Sequence, residues 1–247
     1  MPSWSPYVYT FNNPVKFVDP DGREPYDIIF GSSVSQATKD RMINDWKQLT
    51  GLNLSYDSSG KVSYTKSDSY SGGSEIARNM LMGAIDNHRT EYQVGSDLTR
   101  GSSIKELQGR GEKVDGKAGY THVYDLNMNP DQIDSFVTNT SESLNPLTMG
   151  YGMVGLHEIS HPYNNLDDQN VIANLPGPNV NFMNTIRKEL DDSGEFKLPF
   201  GQRMQYSPKT ILHKKKPYDL HPFQKFPKDD FNKRDAKKDK FILTPRK

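Results

Sequence analysis

Apolar residues in the first part of the chain are spaced as in a strand, a helix and a hairpin. The apolar run over 26–30 predicts a buried strand. Over 35–50 the apolar positions recur at helical spacing, and Gly51 stands where such a helix would end. Apolar and polar residues alternate over 52–56 and again over 61–65, with Asp, Ser and Gly between them, which predicts a hairpin.

The pattern from residue 74 onward predicts mainly helices. Apolar residues recur at helical spacing over 74–87, from 145 to Pro162, and over 179–190, so each of these segments is predicted to be a helix. A further strand is predicted over 120–126. Residues 95–117 are rich in Gly, Ser and charge, which predicts a long loop.

The composition excludes several classes of protein. The chain of 247 residues has no cysteine, so it forms no disulfide, and any metal site must use His, Asp, Glu or Tyr. No run of 18 apolar residues occurs, which predicts that no segment spans a membrane. The first residues lack the charged and apolar regions of a signal peptide, so any export is expected to depend on another segment or protein.

Charge is distributed unevenly along the chain although the formal total is zero. Residues 207–247 hold 13 Lys and Arg against 5 Asp, a net charge of +8, so residues 1–206 carry −8. The basic segment has too few apolar residues to bury, which predicts a flexible tail. Its interspersed Asp and Pro, with the balanced total charge, argue against nucleic acid as a partner.

The predicted helix that ends at Pro162 contains the pattern H-E-x-x-H, from His157 through Glu158 to His161. Residues four apart lie on one face of a helix, so both imidazoles can bind one Zn²⁺ while Glu158 faces a metal-bound water. In that arrangement zinc would lower the pKa of its bound water, and Glu158 would take the proton and hand it to the leaving amine. The motif therefore predicts zinc-dependent hydrolysis with Glu158 as the catalytic base.

Residues 7–23 contain Y-x-Y-x-x-N-N-P followed by D-P-x-G. This order resembles the end of the core module of Rhs/YD-repeat proteins. In that family the residues that follow begin a variable C-terminal toxin. The resemblance implies a toxin delivered into target cells by a bacterial secretion system as part of a larger Rhs protein, with a cognate immunity protein as a partner.

From His157 the chain reads H-E-I-S-H-P-Y-N-N-L-D, which resembles the metzincin motif H-E-x-x-H-x-x-G-x-x-H/D. Asp167 stands six residues after His161, where that family closes the metal site, and Asn164 replaces the glycine. Asn tolerates a left-handed turn better than most residues, so Asp167 is the expected third ligand. Asp168, Glu189 and His213 remain alternatives.

Two further elements resemble those of zincin families. Met204-Gln205-Tyr206 resembles the metzincin Met-turn, which implies Tyr206 as a fifth ligand or oxyanion donor. Zincin toxins fused to Rhs cores show an N-x-x-R element followed by Arg and Tyr, which four residues here resemble: Asn184, Arg187, Arg203 and Tyr206. Many of them carry a ligand Glu before that Asn, but this chain has Met183 there.

Two other features have competing interpretations. His122, within the predicted strand over 120–126, either lies on the sheet edge that zincins offer to an extended substrate or is a partly buried surface residue. Residues 150–155 match G-x-G-x-x-G, but no apolar strand precedes them and Leu175 stands where an acidic partner would be needed. Dinucleotide binding is rejected, and the glycines are expected to let the helix lie close to the sheet.

Together these patterns predict an α+β, zincin-like domain over 24–206 with a mixed sheet and an active-site helix. A remnant of the Rhs core over 1–23 precedes it, and the flexible tail over 207–247 follows. The expected activity is zinc metallopeptidase cleavage of a protein or peptide substrate. Two alternatives stay open: a non-catalytic Rhs tip or adaptor module with a vestigial motif, and a zinc amidase that acts on peptidoglycan.

Overall fold

A computed structural model describes residues 27–67, 69–87, 90–107, 122–138, 140, 142–168, 176–204 and 223–224. The Rhs-like segment over 1–23 lies outside these ranges, and so does the basic tail apart from residues 223–224. Tyr206 and His213 also lie outside them. Predictions that concern those residues stay predictions.

The described part of the chain contains both strands and helices. In chain order they are β1 (Asp27–Phe30), α1 (Gln36–Thr50), β2 (Leu54–Tyr56), β3 (Val62–Tyr64), α2 (Glu75–Ile85), β4 (Thr90–Gly95), β5 (Ser103–Glu106), β6 (His122–Asn127), α3 (Pro130–Thr138), a 3-10 helix (Pro146–Met149), α4 (Tyr151–Asn164), α5 (Pro178–Ser193), β7 (Gln202–Arg203) and β8 (Phe223–Gln224). The fold is of the α+β class.

The main sheet has four strands in the order β1-β4-β6-β5. β1 and β6 both pair with β4 in parallel, while β5 pairs with β6 in antiparallel register, Ile104 opposite Leu126. The sheet is therefore mixed, as the sequence predicts, and its antiparallel strand β5 pairs with β6 alone among the described strands. β2 and β3 form the predicted hairpin.

The core lies between one face of this sheet and the helices. Alternate residues of the strands are fully buried on that face, and α1 turns the apolar side predicted for it onto the same core. Buried core side chains from these elements include Ile28, Phe30, Tyr92, Val94, Leu126, Met42, Trp46 and Leu49. Ser35 and Ser74 cap α1 and α2, where their hydroxyl groups accept backbone N–H bonds. These helices form the base on which α4 rests.

α4 packs against α1 at very short range because two of its residues lack side chains. A Cβ at Gly152 would lie 2.5 Å from Asp45 Cβ, and one at Gly155 would lie 2.4 Å from Met42 Cε. Trp46 Nε1 donates to Gly152 O (3.0 Å), and Asp45 Oδ2 accepts the Gly152 N–H (2.9 Å). The glycine-rich segment therefore allows close packing, as predicted. The partner is α1, however, and not the sheet that the sequence led us to expect.

Gly152→Ala is expected to destabilise the fold by a net ~1–2 kcal/mol, which is the usual ~1–3 kcal/mol cost of overpacking less the helix propensity that Ala gains. The added methyl would meet the main-chain end of Asp45, which cannot rotate away, and this cost exceeds the roughly 1 kcal/mol of helix propensity that Ala gains over Gly. Gly155→Ala should cost less, since it meets the flexible end of Met42. Urea unfolding of both variants measures this order, and a Gly152→Ala protein more stable than the unmodified one would contradict the close packing.

Several strands and one helix were not predicted from the sequence, and one predicted helix is longer than expected. β5 lies inside the segment 95–117 predicted as a loop, because a short edge strand with one apolar residue, Ile104, carries almost no alternation. α4 continues past Pro162 to Asn164. β4 and α3 were not predicted. β8 lies within the segment predicted as a flexible tail and pairs with β7. Among the described residues, no helix has the length and apolarity needed to cross a membrane.

Candidate metal centre

His157 and His161 lie one turn apart on α4 with their ring centroids 5.0 Å from each other and their planes at 84°. The helix is held in place on its other sides, because Leu156 and Ile159 are fully buried in the core and Gly155 lies against α1. The side chains of the two histidines are only 13 and 18 % exposed. Both imidazoles therefore occupy a shielded position with little freedom to turn.

The end of α4 folds the chain back over this pair. Asn165 ends the helix in the left-handed conformation (φ 52°), and the N–H of Leu166 donates to His161 O (3.0 Å). Two residues further on, Asp168 places Oδ1 3.6 Å from His157 Nε2 and Oδ2 3.3 Å from His161 Nε2. Asp167 is exposed. The structure thus places Asp168, and not Asp167, beside the two histidines.

The shift from Asp167 to Asp168 follows from the position of the turn. In the metzincin pattern the left-handed residue stands three positions after the second His, and the third ligand follows three positions later. Here the left-handed residue is Asn165 rather than Asn164, since α4 runs one residue further. The same spacing of three then leads to Asp168, one of the alternatives that the sequence left open.

The three side chains have the spacing of a metal site. Within the part of the chain that the structure describes, His157, His161 and Asp168 are the group of His, Asp and Glu residues close enough to hold one ion. Ligands bound to Zn²⁺ at about 2.0–2.2 Å in tetrahedral geometry lie roughly 3.3–3.6 Å from each other. The Nε2–carboxylate separations of 3.3 and 3.6 Å match that range. The group can therefore bind a metal ion.

A hydrogen bond selects the tautomer of His161 that a metal needs. Nδ1 lies 2.6 Å from Leu166 O, and a carbonyl can only accept, so Nδ1 carries the proton. Nε2 of the neutral ring then presents a lone pair toward Asp168 Oδ2, which is also an acceptor. Two acceptors 3.3 Å apart repel each other, and a cation between them, either a proton or a metal ion, removes that repulsion.

The electrostatics of the pair agree with this requirement. Burial, with smaller contributions from Arg203 and His161, lowers the pKa of His157 to about 4, although Asp168 opposes the shift, so this ring is neutral at pH 7. Burial also acts to lower the pKa of His161, but the hydrogen bond and charge of Asp168 outweigh it and the pKa rises. The protonated form of His161 is therefore more stable than that of an ordinary imidazole. A metal ion that binds Nε2 must displace the proton from this nitrogen.

Glu158 lies beside the two histidines but is not one of the three candidate ligands. Its carboxyl group is almost completely buried and accepts a hydrogen bond from the backbone N–H of Ile104 in β5. Burial raises the pKa of Glu158 to about 7, with the charge of Asp168 adding to the rise. A carboxylate with a pKa near neutrality is suited to take up and release a proton.

Arg203 brings a positive charge close to the same residues. Its charge adds to the lowering of the pKa of His157 and partly opposes the rise in the pKa of Glu158 that burial causes. The strand that carries it is fixed by Asn184, whose Oδ1 accepts the Arg203 N–H (2.9 Å) and whose Nδ2 donates to Arg203 O (2.8 Å). Arg203 is thus a cation held next to the candidate base and one candidate ligand.

The other sequence candidates have different positions. Glu189 accepts hydrogen bonds from Ser74 Oγ (2.6 Å) and Ile76 N–H (3.0 Å), so it caps α2 and not the metal centre. Arg187 is buried and donates to Thr148 O (3.0 Å), which anchors the turn ahead of α4. His122 is exposed in the internal strand β6 and contacts Glu106 (2.7 Å), so β5, not β6, provides the sheet edge.

One residue of the centre was not predicted from the sequence. Asn179, in the first turn of α5, is fully buried and contacts both histidines. No motif marks it, because it approaches from a helix whose position depends on the fold as a whole. No family model, curated protein or solved structure matches the chain, so the geometry of the site carries the functional argument.

Proposed function

We propose that this domain is a zinc-dependent hydrolase with a zincin-like fold, and that its substrate is a peptide bond. One observation carries the proposal: the carboxylate of Asp168 lies 3.6 Å from His157 Nε2 and 3.3 Å from His161 Nε2. Bound there, zinc would supply a Lewis acid that acidifies a coordinated water and polarises a carbonyl group.

The residues around the centre supply the remaining parts of a hydrolytic site. Glu158 can take a proton from the attacking water and pass it to the leaving nitrogen, since its pKa near 7 allows both steps. Arg203 carries a fixed positive charge close to Glu158, where it can stabilise negative charge that develops on the scissile carbonyl oxygen. Tyr206, proposed for the same role from the sequence, follows three residues later.

The edge strand β5 supports a peptide as the substrate. Leu107 N–H donates to Val123 O (2.8 Å), and the antiparallel register then directs the backbone groups of Ser103 and Lys105 toward β6. The backbone groups of Ile104 and Glu106 consequently point away from the sheet, and the Ile104 N–H meets Glu158. An extended peptide added to this edge would pass directly beside the catalytic carboxylate.

The fold is consistent with the same proposal. The helix that bears H-E-x-x-H packs under a mixed sheet, and its glutamate reaches the antiparallel edge strand. The resemblance of residues 7–23 to the end of an Rhs core supports a toxin delivered as part of a larger protein, restrained by an immunity protein. A peptidase held in such a chain would act inside the cell that receives it.

The proposal is tested by incubating the zinc-loaded protein with a proteome-derived peptide library and, separately, with peptidoglycan stem peptides. We expect new peptide termini in the library, their loss with a chelator and their return on addition of Zn²⁺. Cleavage confined to the stem peptides would assign an amidase instead. Zinc binding without hydrolysis of either substrate would favour the non-catalytic binding module.

A further inference from the structure

The last residue of β5 carries a carboxylate on the side of the sheet where α4 lies. In the register of β5 with β6, Glu106 lies opposite Tyr124. Residues opposite each other share a face, and so do residues two apart in one strand, so Glu106, Tyr124 and Ile104 point to the same side. Ile104 and Tyr124 pack against the core there, where α4 also contacts β5. The side chain of Glu106 is 50 % exposed, so its carboxylate is open to solvent on that side.

Two residues of β6 hold and flank this carboxylate. His122 Nδ1 lies 2.7 Å from Glu106 Oε1 and donates to it, since a carboxylate only accepts. The His122 ring stacks on Tyr124, with centroids 6.2 Å apart and planes at 22°. Burial and, second, the charge of Glu106 raise the pKa of Tyr124, which agrees with their closeness. One hydrogen bond uses only part of the accepting capacity of a carboxylate, so Glu106 can accept a further donor.

A carboxylate beside stacked aromatic rings matches the side chain of Lys or Arg. The cationic group pairs with the carboxylate, and the apolar stem covers the ring next to it. A cation over the face of a Tyr ring gains a further attraction from the ring electrons. Glu106, Tyr124 and His122 therefore provide the chemistry of a subsite for a basic side chain.

Glu106 is also placed where a peptide on the sheet edge would pass. The backbone groups of Ile104 and Glu106 point away from β6, so an added strand would pair with both. Its residue opposite Glu106 would share the face of Glu106, with Cβ atoms about 4.5–5.5 Å apart. The Ile104 N–H meets Glu158, and Ile104 is about 7 Å from Glu106 along the strand. The peptide residue opposite Glu106 is thus two positions from the residue that passes Glu158.

From this arrangement we propose that Glu106, held by His122, is a specificity determinant that selects Lys or Arg two positions from the substrate residue beside Glu158. The inference rests on the proposed peptidase function and adds the class of peptide that is cleaved. Opposite charges facing each other across two strands attract, and like charges repel. An acidic residue at the same substrate position is therefore disfavoured.

The test starts from the peptides that the zinc-loaded protein cleaves in the library. We expect Lys and Arg to be enriched at one position, about two to three residues from the cleaved bond. One cleaved peptide is then resynthesised with Lys, Gln or Glu at that position. We expect kcat/KM to be about 3- to 10-fold higher for the Lys than for the Gln peptide, the joint contribution of one partly exposed ion pair and one cation–π contact, and lowest for the Glu peptide.

Glu106→Gln should bring the Lys-to-Gln ratio of kcat/KM close to 1, and Glu106→Lys should make the Glu peptide the preferred substrate. Both changes are made at a half-exposed position, so the fold should tolerate them. Anisotropy of fluorescein-labelled peptides bound to the Glu158→Gln protein measures the same order of the three peptides without turnover.

Asp125→Asn is the matched control. Asp125 follows Tyr124 in β6 and so points to the opposite face of the sheet, where it pairs with Arg100 (3.0 Å). It removes the same charge as Glu106→Gln from the neighbouring strand. The order of the three peptides and the ratios between them should stay as in the unmodified protein.

The outcomes separate this inference from the proposed function. Cleavage of peptides with no preference for Lys or Arg, or an unchanged Lys preference in Glu106→Gln, would overturn the specificity role and leave the peptidase intact. An equal loss of preference in Asp125→Asn would also overturn it, because the total charge of the protein would then be responsible. An unmodified protein that cleaves no peptide would overturn the proposed function and this inference together.

Discussion

Glu158→Gln is expected to lower kcat for peptide hydrolysis by about 10³-fold, within the 10²- to 10⁴-fold range of general acid–base catalysis. Glutamine has nearly the same shape and its amide oxygen can still accept the Ile104 N–H, but it cannot take up a proton. Glu158 is not part of the His157–His161–Asp168 group, so Zn²⁺ affinity should change little. Turnover of a cleaved library peptide and zinc stoichiometry measure the two effects.

Glu189→Gln provides the matched control for this change. It makes the same chemical substitution at a carboxylate that caps α2 through Ser74 and the Ile76 N–H, away from the metal centre. It should cost a little stability and leave turnover unchanged. If Glu158→Gln hydrolyses the peptide as fast as the unmodified protein, or is equally toxic when expressed, Glu158 is not the base.

The two histidine positions could be predicted because both belong to one helix. The spacing from His157 to His161 alone places them on one face, whatever the rest of the fold does. The third ligand depends on where that helix ends. One additional helical residue moves the left-handed turn from Asn164 to Asn165, and this exchanges Asp167 for Asp168. Sequence spacing cannot resolve a difference of one residue at a helix end.

The elements that were not predicted from the sequence are those whose burial comes from tertiary contacts. β5 contributes one apolar residue to the core, so its pattern resembles a loop, yet its backbone meets Glu158. Asn179 is a polar residue in the first turn of a helix, where Asn is ordinarily exposed. Its contact with the histidines forms only when α5 is packed against α4. Residues that adjoin the motif therefore come from segments with little sequence signal, while the motif itself is local.

Asp168→Asn is expected to weaken Zn²⁺ binding by at least about 100-fold, because loss of a partner that merely orients a ligand already costs 10- to 100-fold. Asn keeps the size of Asp168 but removes the charge that faces both Nε2 atoms. The same charge raises the pKa of His161, so in metal-free protein the variant should titrate His161 at lower pH. Zinc competition assays and histidine NMR titration measure both consequences.

Asp167→Asn is the control that separates the two adjacent carboxylates. It removes the same charge one residue earlier, at an exposed position, so its effect on Zn²⁺ affinity should stay below about fivefold, the contribution of one exposed charge. It should also leave the pKa of His161 unchanged. A large loss in Asp167→Asn with none in Asp168→Asn would show that α4 ends one residue earlier in solution. The metzincin spacing would then apply without the shift.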